Sequence, residues 1–323
     1  MVRTLRQAQG AFFANMHRIL IDRALVKRAK YDTKHHAHQK RKKRMNRWKL
    51  WLPCLLVLTS LLLGACSTAV ATQAETVERT LDAAYTIFLD DMVMYNTIGL
   101  EDLISMLTEE PPPFLLDVRD LSEIGDTGYI EGAVVIPLRE LGRHMDLLPS
   151  FDTTIVSYCG SGWRCAIAMT ALEALGWENA LSLRDGSFSG WVHAGYPFAT
   201  GLPDAVPLNV ASPDPAMLTL IDETLSNIPE DWGMITVDTA NKELIMNPDL
   251  ILIDVRRAEE VQKTGIITGA LNIPLEEFIA RKTEWPADKA TKIVIYCSGG
   301  HRSTIAMTIL WSYGYRDVRS LIS

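Results

Sequence analysis

Cysteine is scarce in this chain of 323 residues: five are present, Cys54, Cys66, Cys159, Cys165 and Cys297. No two form a CxxC pair and their spacing is irregular, which excludes a disulfide scaffold and a structural zinc site. A long apolar run is missing too. Leu50 to Ala65 is uncharged but covers only 16 residues, short of the ~20 that a spanning helix needs. Basic residues thin out after the start of the chain. Residues 1–49 hold 15 Lys and Arg against two acids, Asp22 and Asp32, whereas residues 50–323 hold 17 against 37 Asp and Glu. A body so acidic repels phosphate backbones, so nucleic acid is excluded as its partner. Apolar content of 48% and charged content of 22% are ordinary for a globular protein, and the length suits two compact domains.

The basic run "KRKKRMNRWK" at 40–49 and the apolar run behind it have the make-up of a signal sequence. Leu63-Gly64-Ala65-Cys66 closes that run and resembles the lipobox of bacterial lipoproteins, in which the cysteine is lipidated. The expectation is an extracytoplasmic protein anchored to the membrane through Cys66, with a signal-anchor helix as the alternative. Cys54 reads as a small apolar filler within the signal. Residues 1–44 are unusual ahead of a signal, and Met45 would give a conventional start in place of Met1. Residues 67–77 read as a polar tether.

The body repeats itself. "FLLDVRDLSE" at 114–123 matches "LILIDVRRAEE" at 250–260, and "GYIEGAVVIPLREL" at 128–141 matches "GIITGALNIPLEEF" at 265–278. A third pair runs "IVSYCGSGWRCAIAMTALEALGW" at 155–177 and "IVIYCSGGHRSTIAMTILWSYGY" at 293–315. A nearly constant offset across three blocks means one domain copied. The segment between the copies carries Pro197, Pro203, Pro207, Pro213 and Pro215 and reads as a linker. This gives a basic extension with signal at 1–66, a first domain at 78–200, a proline-rich linker at 201–217 and a second domain at 218–323. A helical lead precedes each copy, at about 76–92 and 216–230. Short apolar runs such as "FLLDV" and "IVSYC" predict buried parallel strands. "EDLISMLTEE" and "AIAMTALEALG" predict helices, the latter stopped by Gly176. Alternating strands and helices imply an α/β fold built on a mainly parallel sheet.

In each copy a strand ends in cysteine, four residues follow, and an arginine opens a helix. The loops read Cys159-Gly160-Ser161-Gly162-Trp163-Arg164 and Cys297-Ser298-Gly299-Gly300-His301-Arg302. Small residues let successive N–H groups turn inward as an anion nest, and the helix adds its positive end. A cysteine held there has its thiolate stabilised and its nucleophilicity raised at neutral pH.

These blocks resemble the rhodanese family over about 80–200 and 218–323: "DVR" followed by an acid, "GAxxIPL", "YCxxGxR" and, in copy one alone, "DGSFSGWVHAGYP". The resemblance implies two three-layer domains and sulfur transfer through a cysteine persulfide, with Cys159 and Cys297 as nucleophiles and the loop residues holding the anion. It implies that Arg164 and Arg302 close the loops, and that Asp117, Arg119, Asp254 and Arg256 brace the site. No metal or organic cofactor is implied. The partners would be a small sulfur-containing donor and a thiol or cyanide-like acceptor. Phosphatases on a related fold carry five loop residues where this chain has four. A non-catalytic persulfide carrier, sensor or interaction module is the competing reading.

Neither loop contains Lys or Arg ahead of the closing arginine, which leaves thiosulfate, polysulfide and protein persulfide open as donors. His301, if partly protonated, would add a modest attraction. Trp163 reads as a wall of the pocket rather than a partner-binding anchor. Cys165 stands where copy two has Ser303, either as a small replacement for serine or as a resolving thiol. Copy two ends before the equivalent of "GSFSGWVHAG". It is therefore expected to be C-terminally truncated and less stable, or completed by the lead helices or another subunit. Where one site predominates, the complete first module favours Cys159.

Overall fold

The computed structural model describes residues 74–322; the basic extension, the signal with Cys54 and Cys66, and most of the expected tether lie outside the described residues. The repeat is visible strand by strand. Copy one contributes β1 (Thr97–Ile98), β2 (Phe114–Asp117), β3 (Val134–Val135), β4 (Ile155–Tyr158) and β5 (Ala180–Leu183), in the order β1-β5-β4-β2-β3. Copy two contributes β6 (Met234–Thr236), β7 (Ile251–Asp254), β8 (Leu271–Asn272), β9 (Ile293–Tyr296) and β10 (Val318–Ile322), in the equivalent order β6-β10-β9-β7-β8. Every pairing is parallel, and the central registers match, with Phe114 opposite Ile155 and Ile251 opposite Ile293. Apolar residues at every position of β4 and β9 suit strands covered on both faces; Ser157, the exception, is satisfied by the Leu181 carbonyl at 2.9 Å.

Two helices sit between the sheets. Arg164–Leu175 and His301–Ser312 each follow a cysteine loop, and each has all residues but its first buried. A helix buried on every side cannot be amphipathic, and both sequences are apolar or small nearly throughout. Their side chains join residues from both copies in one shared core, including Leu172, Leu175, Ile305 and Ile309. A separate cluster fills the outer face of each sheet. Gly176 ends the first helix in the left-handed region at φ 105°, and Trp177 N–H returns to the Leu172 carbonyl at 3.0 Å. Among the described residues no helix is long and apolar enough to cross a membrane.

The lead helices exchange partners. The helix at 74–91 packs on copy two: Tyr85 bonds to Ser312 at 2.9 Å and Lys282 Nζ reaches Asp82 at 2.6 Å. The helix Pro215–Ser226, capped by Asp214 at its N-terminus, packs on copy one, where Arg143 donates to Ser226 at 2.6 Å. Gly142 lets this second helix approach closely, since a Cβ there would stand 2.6 Å from the Asp222 Cβ.

The first lead helix thus contacts copy two on its inner face, within the shared core. The outer face differs between copies. The helix Ser187–His193 brings Phe188 and Trp191 into the outer cluster of copy one, where Ile130 is 2% exposed. No counterpart to that helix occurs among the described residues of copy two, and the matching Ile267 is 42% exposed.

Gly142→Ala is expected to destabilise the protein by about 1–3 kcal/mol, because the methyl forces the Pro215–Ser226 helix outward. Gly125→Ala, which meets nothing within 4 Å, is expected to be neutral or slightly stabilising. Urea unfolding midpoints compare the two.

Candidate functional site

Strand β4 delivers Cys159 and strand β9 delivers Cys297 to the C-terminal ends of the central strands, each directly before a buried helix. In both loops one backbone N–H points at the sulfur. Gly162 N–H donates to Cys159 Sγ at 3.1 Å, and Gly300 N–H donates to Cys297 Sγ at 3.1 Å. Both glycines have positive φ, 108° and 86°, so the inward turn of the chain depends on glycine at these positions. Burial raises the Cys159 thiol, but the Cys165 thiol and the Arg164 guanidinium outweigh it and leave its pKa lowered. Burial and the neighbouring Cys159 push Cys165 well above the usual thiol range.

The closing arginines are held by glutamates. Arg164 pairs with both carboxylate oxygens of Glu123, at 2.5 and 2.6 Å, and Arg302 makes the same fork with Glu260, at 2.5 and 2.7 Å. Each glutamate also accepts from a backbone N–H at the start of its own helix, Glu123 from Asp120 and Glu260 from Arg257. The Arg302 guanidinium holds the Glu260 carboxyl down at about 2, and Arg164 lowers Glu123. Neither glutamate is among the residues expected from the loops, although both stand six positions after the aspartate of "DVR" in the repeated blocks.

Asp117 and Arg119 form a buried two-pronged pair, and Asp254 makes the same contact with the half-buried Arg256, with closest approaches of 2.6 Å. Arg119 continues to Thr127 and the Gly128 carbonyl, and Arg256 to Thr264 and the Gly265 carbonyl. The pairs therefore tie a strand end to the turn after the next helix, beside Tyr158 and Tyr296 rather than against the cysteines. In copy one a second ring, Phe188, also covers the arginine, at 3.9 Å.

The two loops meet. The Trp163 ring of loop one lies against Gly300 of loop two, where a Cβ would stand 2.5 Å from the indole. An open cleft of about 380 Å³ lies at this junction, with Tyr95, Trp163, Arg184, Cys297, His301 and Arg302 among its walls. Cys297 lines it, while Cys159 is buried. Ser161, Gly162, Ser298 and Gly299 also reach the cleft, whereas the Cys159 and Gly160 carbonyls accept from Phe188 and Ser189 N–H. Tyr95 of copy one stands over Arg302 at 4.9 Å, and Trp232 of copy two stands over Arg164 at 4.9 Å. Sequence spacing could not give these crossed contacts, because they depend on how the copies pack.

His301 departs from the expected partial charge. Burial lowers its pKa to about 4, and its Nε2 lies 3.2 Å from the Tyr95 carbonyl. A neutral ring donating that hydrogen fits this contact, so the imidazole adds no positive charge at neutral pH. Among the described residues no group of three or more His, Cys, Asp and Glu is placed to hold a metal ion.

The family model for the rhodanese-like domain matches residues 100–194 and again 237–322. The chain belongs to the rhodanese-like family. A rhodanese domain-containing protein of Drosophila melanogaster is 39% identical over 88 residues, covering 24% of this chain and 79% of that protein. A sulfurtransferase of Allochromatium vinosum is 33% identical over 84 residues, covering 26% and 76%. A tRNA uridine(34) hydroxylase of Acaryochloris marina is 32% identical over 95 residues, but the match covers only 27% of that enzyme. Among solved structures, the thiosulfate sulfurtransferase of Pseudomonas aeruginosa aligns at 22% identity and TM-score 0.30, over 70% of this chain and 40% of that one. The chain is a rhodanese-fold protein of the sulfurtransferase family with two copies of the domain.

The Glu260–Arg302 clamp has a pH signature in the rhodanese-like copy that carries it. A carboxyl whose folded pKa lies below its unfolded value, ~4.3, stabilises the fold above that value. That contribution is lost as pH falls through about 2. Glu260→Gln is expected to lower the unfolding midpoint at pH 7 and to flatten its decline between about pH 4 and pH 2, measured by denaturant titration across that range.

Proposed function

We propose that the protein is a sulfurtransferase that carries sulfane sulfur on Cys159 and Cys297. It takes the sulfur from thiosulfate, polysulfide or a persulfide and passes it to a thiol or cyanide-like acceptor. The observation that carries this reading is the repeated N–H donation to the cysteine sulfur, at 3.1 Å in both loops. A thiolate there attacks the donor's sulfane sulfur, the bond from that sulfur to the rest of the donor breaks, and sulfite, a shortened polysulfide or a thiolate leaves with the electron pair. The persulfide anion that forms stays within reach of the same N–H donor and the helix terminus. The acceptor then attacks the outer sulfur and regenerates the thiolate. Sulfur rides on cysteine throughout, so no metal or organic cofactor enters the cycle.

The arrangement favours sulfur transfer over phosphoryl chemistry. Each loop has four residues between cysteine and arginine where phosphatases on a related fold carry five, and each closing arginine is already forked by a glutamate. Both cysteines take sulfur from the donor, and Cys297, which opens into the cleft, is the one we assign to passing it to dissolved acceptors, in contrast to the preference for Cys159 drawn from the sequence. The acidic balance of residues 50–323 speaks against an RNA substrate like that of the hydroxylases matched above. Anchoring outside the cytoplasm through a lipidated Cys66 belongs to the same proposal and rests on the basic and apolar runs before it.

Mass spectrometry of the full chain after exposure to thiosulfate or polysulfide tests the reading. One added sulfur on Cys297 and on Cys159 is expected, with turnover to cyanide or a dithiol falling at least ~10²-fold in Cys297→Ser. Loading without turnover would make the protein a carrier. An absence of added sulfur at both cysteines would defeat sulfur chemistry altogether.

A further inference from the structure

The first copy has a second thiol that the transfer cycle above leaves unused. Cys165 Sγ lies 3.9 Å from Cys159 Sγ, and both residues are buried. It is held there by the Gly162 carbonyl at 3.2 Å, to which it donates, and by the Ser182 hydroxyl at 3.2 Å, which donates to it. The second copy reproduces this arrangement with oxygen in place of sulfur. Ser303 Oγ lies 3.6 Å from Cys297 Sγ, donates to the Gly300 carbonyl at 2.9 Å and accepts from Ser320 at 2.8 Å. The copies therefore differ here by one atom, and that atom decides whether a sulfur–sulfur bond can form.

We propose that the Cys159–Cys165 pair gives the first copy a further activity, the reductive release of hydrosulfide from sulfur carried on Cys159. The inference rests on the persulfide reading above. Cys165 Sγ attacks the inner sulfur of the Cys159 persulfide, and a bond forms between the two cysteine sulfurs. The bond from Cys159 Sγ to the outer sulfur breaks, and its electron pair leaves with the outer sulfur. The Cys165 proton goes to that sulfur, so persulfide anion plus thiol gives disulfide plus hydrosulfide. The two cysteines are oxidised, the sulfane sulfur is reduced, and no other oxidant takes part. An external dithiol then reduces the disulfide and restores the pair.

The distance suits this step, since the two sulfurs at 3.9 Å stand in contact and must close by about 2 Å to reach a disulfide bond of ~2.0 Å. Burial and the adjacent Cys159 keep the Cys165 thiol protonated, so the proton needed by the departing sulfur is already in place. Ser303 cannot take this route, and the second copy retains its sulfur for transfer.

The test uses the full chain carrying Cys297→Ala, so that all sulfur counted belongs to the first copy. Thiosulfate is supplied without oxygen or added reductant, released sulfide is measured, and the cysteine peptides are mapped by mass spectrometry. One hydrosulfide per chain is expected, together with a Cys159–Cys165 disulfide. Adding Cys165→Ser, which copies the Ser303 arrangement, should abolish sulfide release and leave one added sulfur on Cys159. A persulfide that persists on Cys159 beside an intact Cys165, with no disulfide, overturns the inference and leaves sulfur transfer standing. No added sulfur on Cys159 in the Cys165→Ser chain removes the persulfide reading of the first copy, and this inference with it.

Discussion

The packing of Arg164–Leu175 and His301–Ser312 within one shared core fixes the rest of the molecule. Each helix starts at a cysteine loop, so burying the helices also determines where the loops stand. Side chains that would face water in a single copy are enclosed by the other, which is why these helices carry no polar stripe. Their joint burial brings Trp163 against Gly300 and makes the cleft beside Cys297 a product of both copies. The crossed lead helices reinforce the same arrangement, each bonding the copy it does not precede.

Within that frame the loops handle negative charge with few full positive charges. Backbone N–H groups supply the direct contact to sulfur, and each arginine is matched by a glutamate. Unpaired guanidinium groups in a partly buried site would cost several kcal/mol. A thiolate and a persulfide each carry one negative charge, which dipoles can stabilise without a surplus of cations. The neutral state of His301 agrees with this economy of charge.

Much of this was legible in the sequence because the chain presents the domain twice. The repeat marks the strands and the two cysteine-to-arginine loops, where local pattern and copy agree. The closing role of the arginines and the bracing role of Asp117, Arg119, Asp254 and Arg256 come from the resemblance to the rhodanese family. Glu123 and Glu260 stand in the same repeat, but their place beside the loop arginines is not legible there, since a glutamate early in a helix serves equally as a cap, which both also are. Tyr95, Trp232 and the exchanged lead helices were not legible. Their roles arise between copies, from a packing geometry that spacing along the chain does not encode. The neutral state of His301 is not legible for a related reason, since its protonation depends on burial beneath the facing copy, where it meets the Tyr95 carbonyl.

The duplicated domain also makes its differences informative. Both copies keep the strand order, the glycine N–H to sulfur and the arginine–glutamate fork, features that a single functional site would require only once. They diverge around the cysteine itself. Cys159 is enclosed, pinned through its loop carbonyls by the helix Ser187–His193, and faces a thiol. Cys297 opens to the cleft and faces a hydroxyl. An accessible sulfur beside an inert oxygen suits exchange with partners in solution, whereas an enclosed sulfur beside an oxidisable partner suits chemistry completed within the loop. The substitution of sulfur for oxygen at one position separates the two sites without disturbing the packing that holds them together.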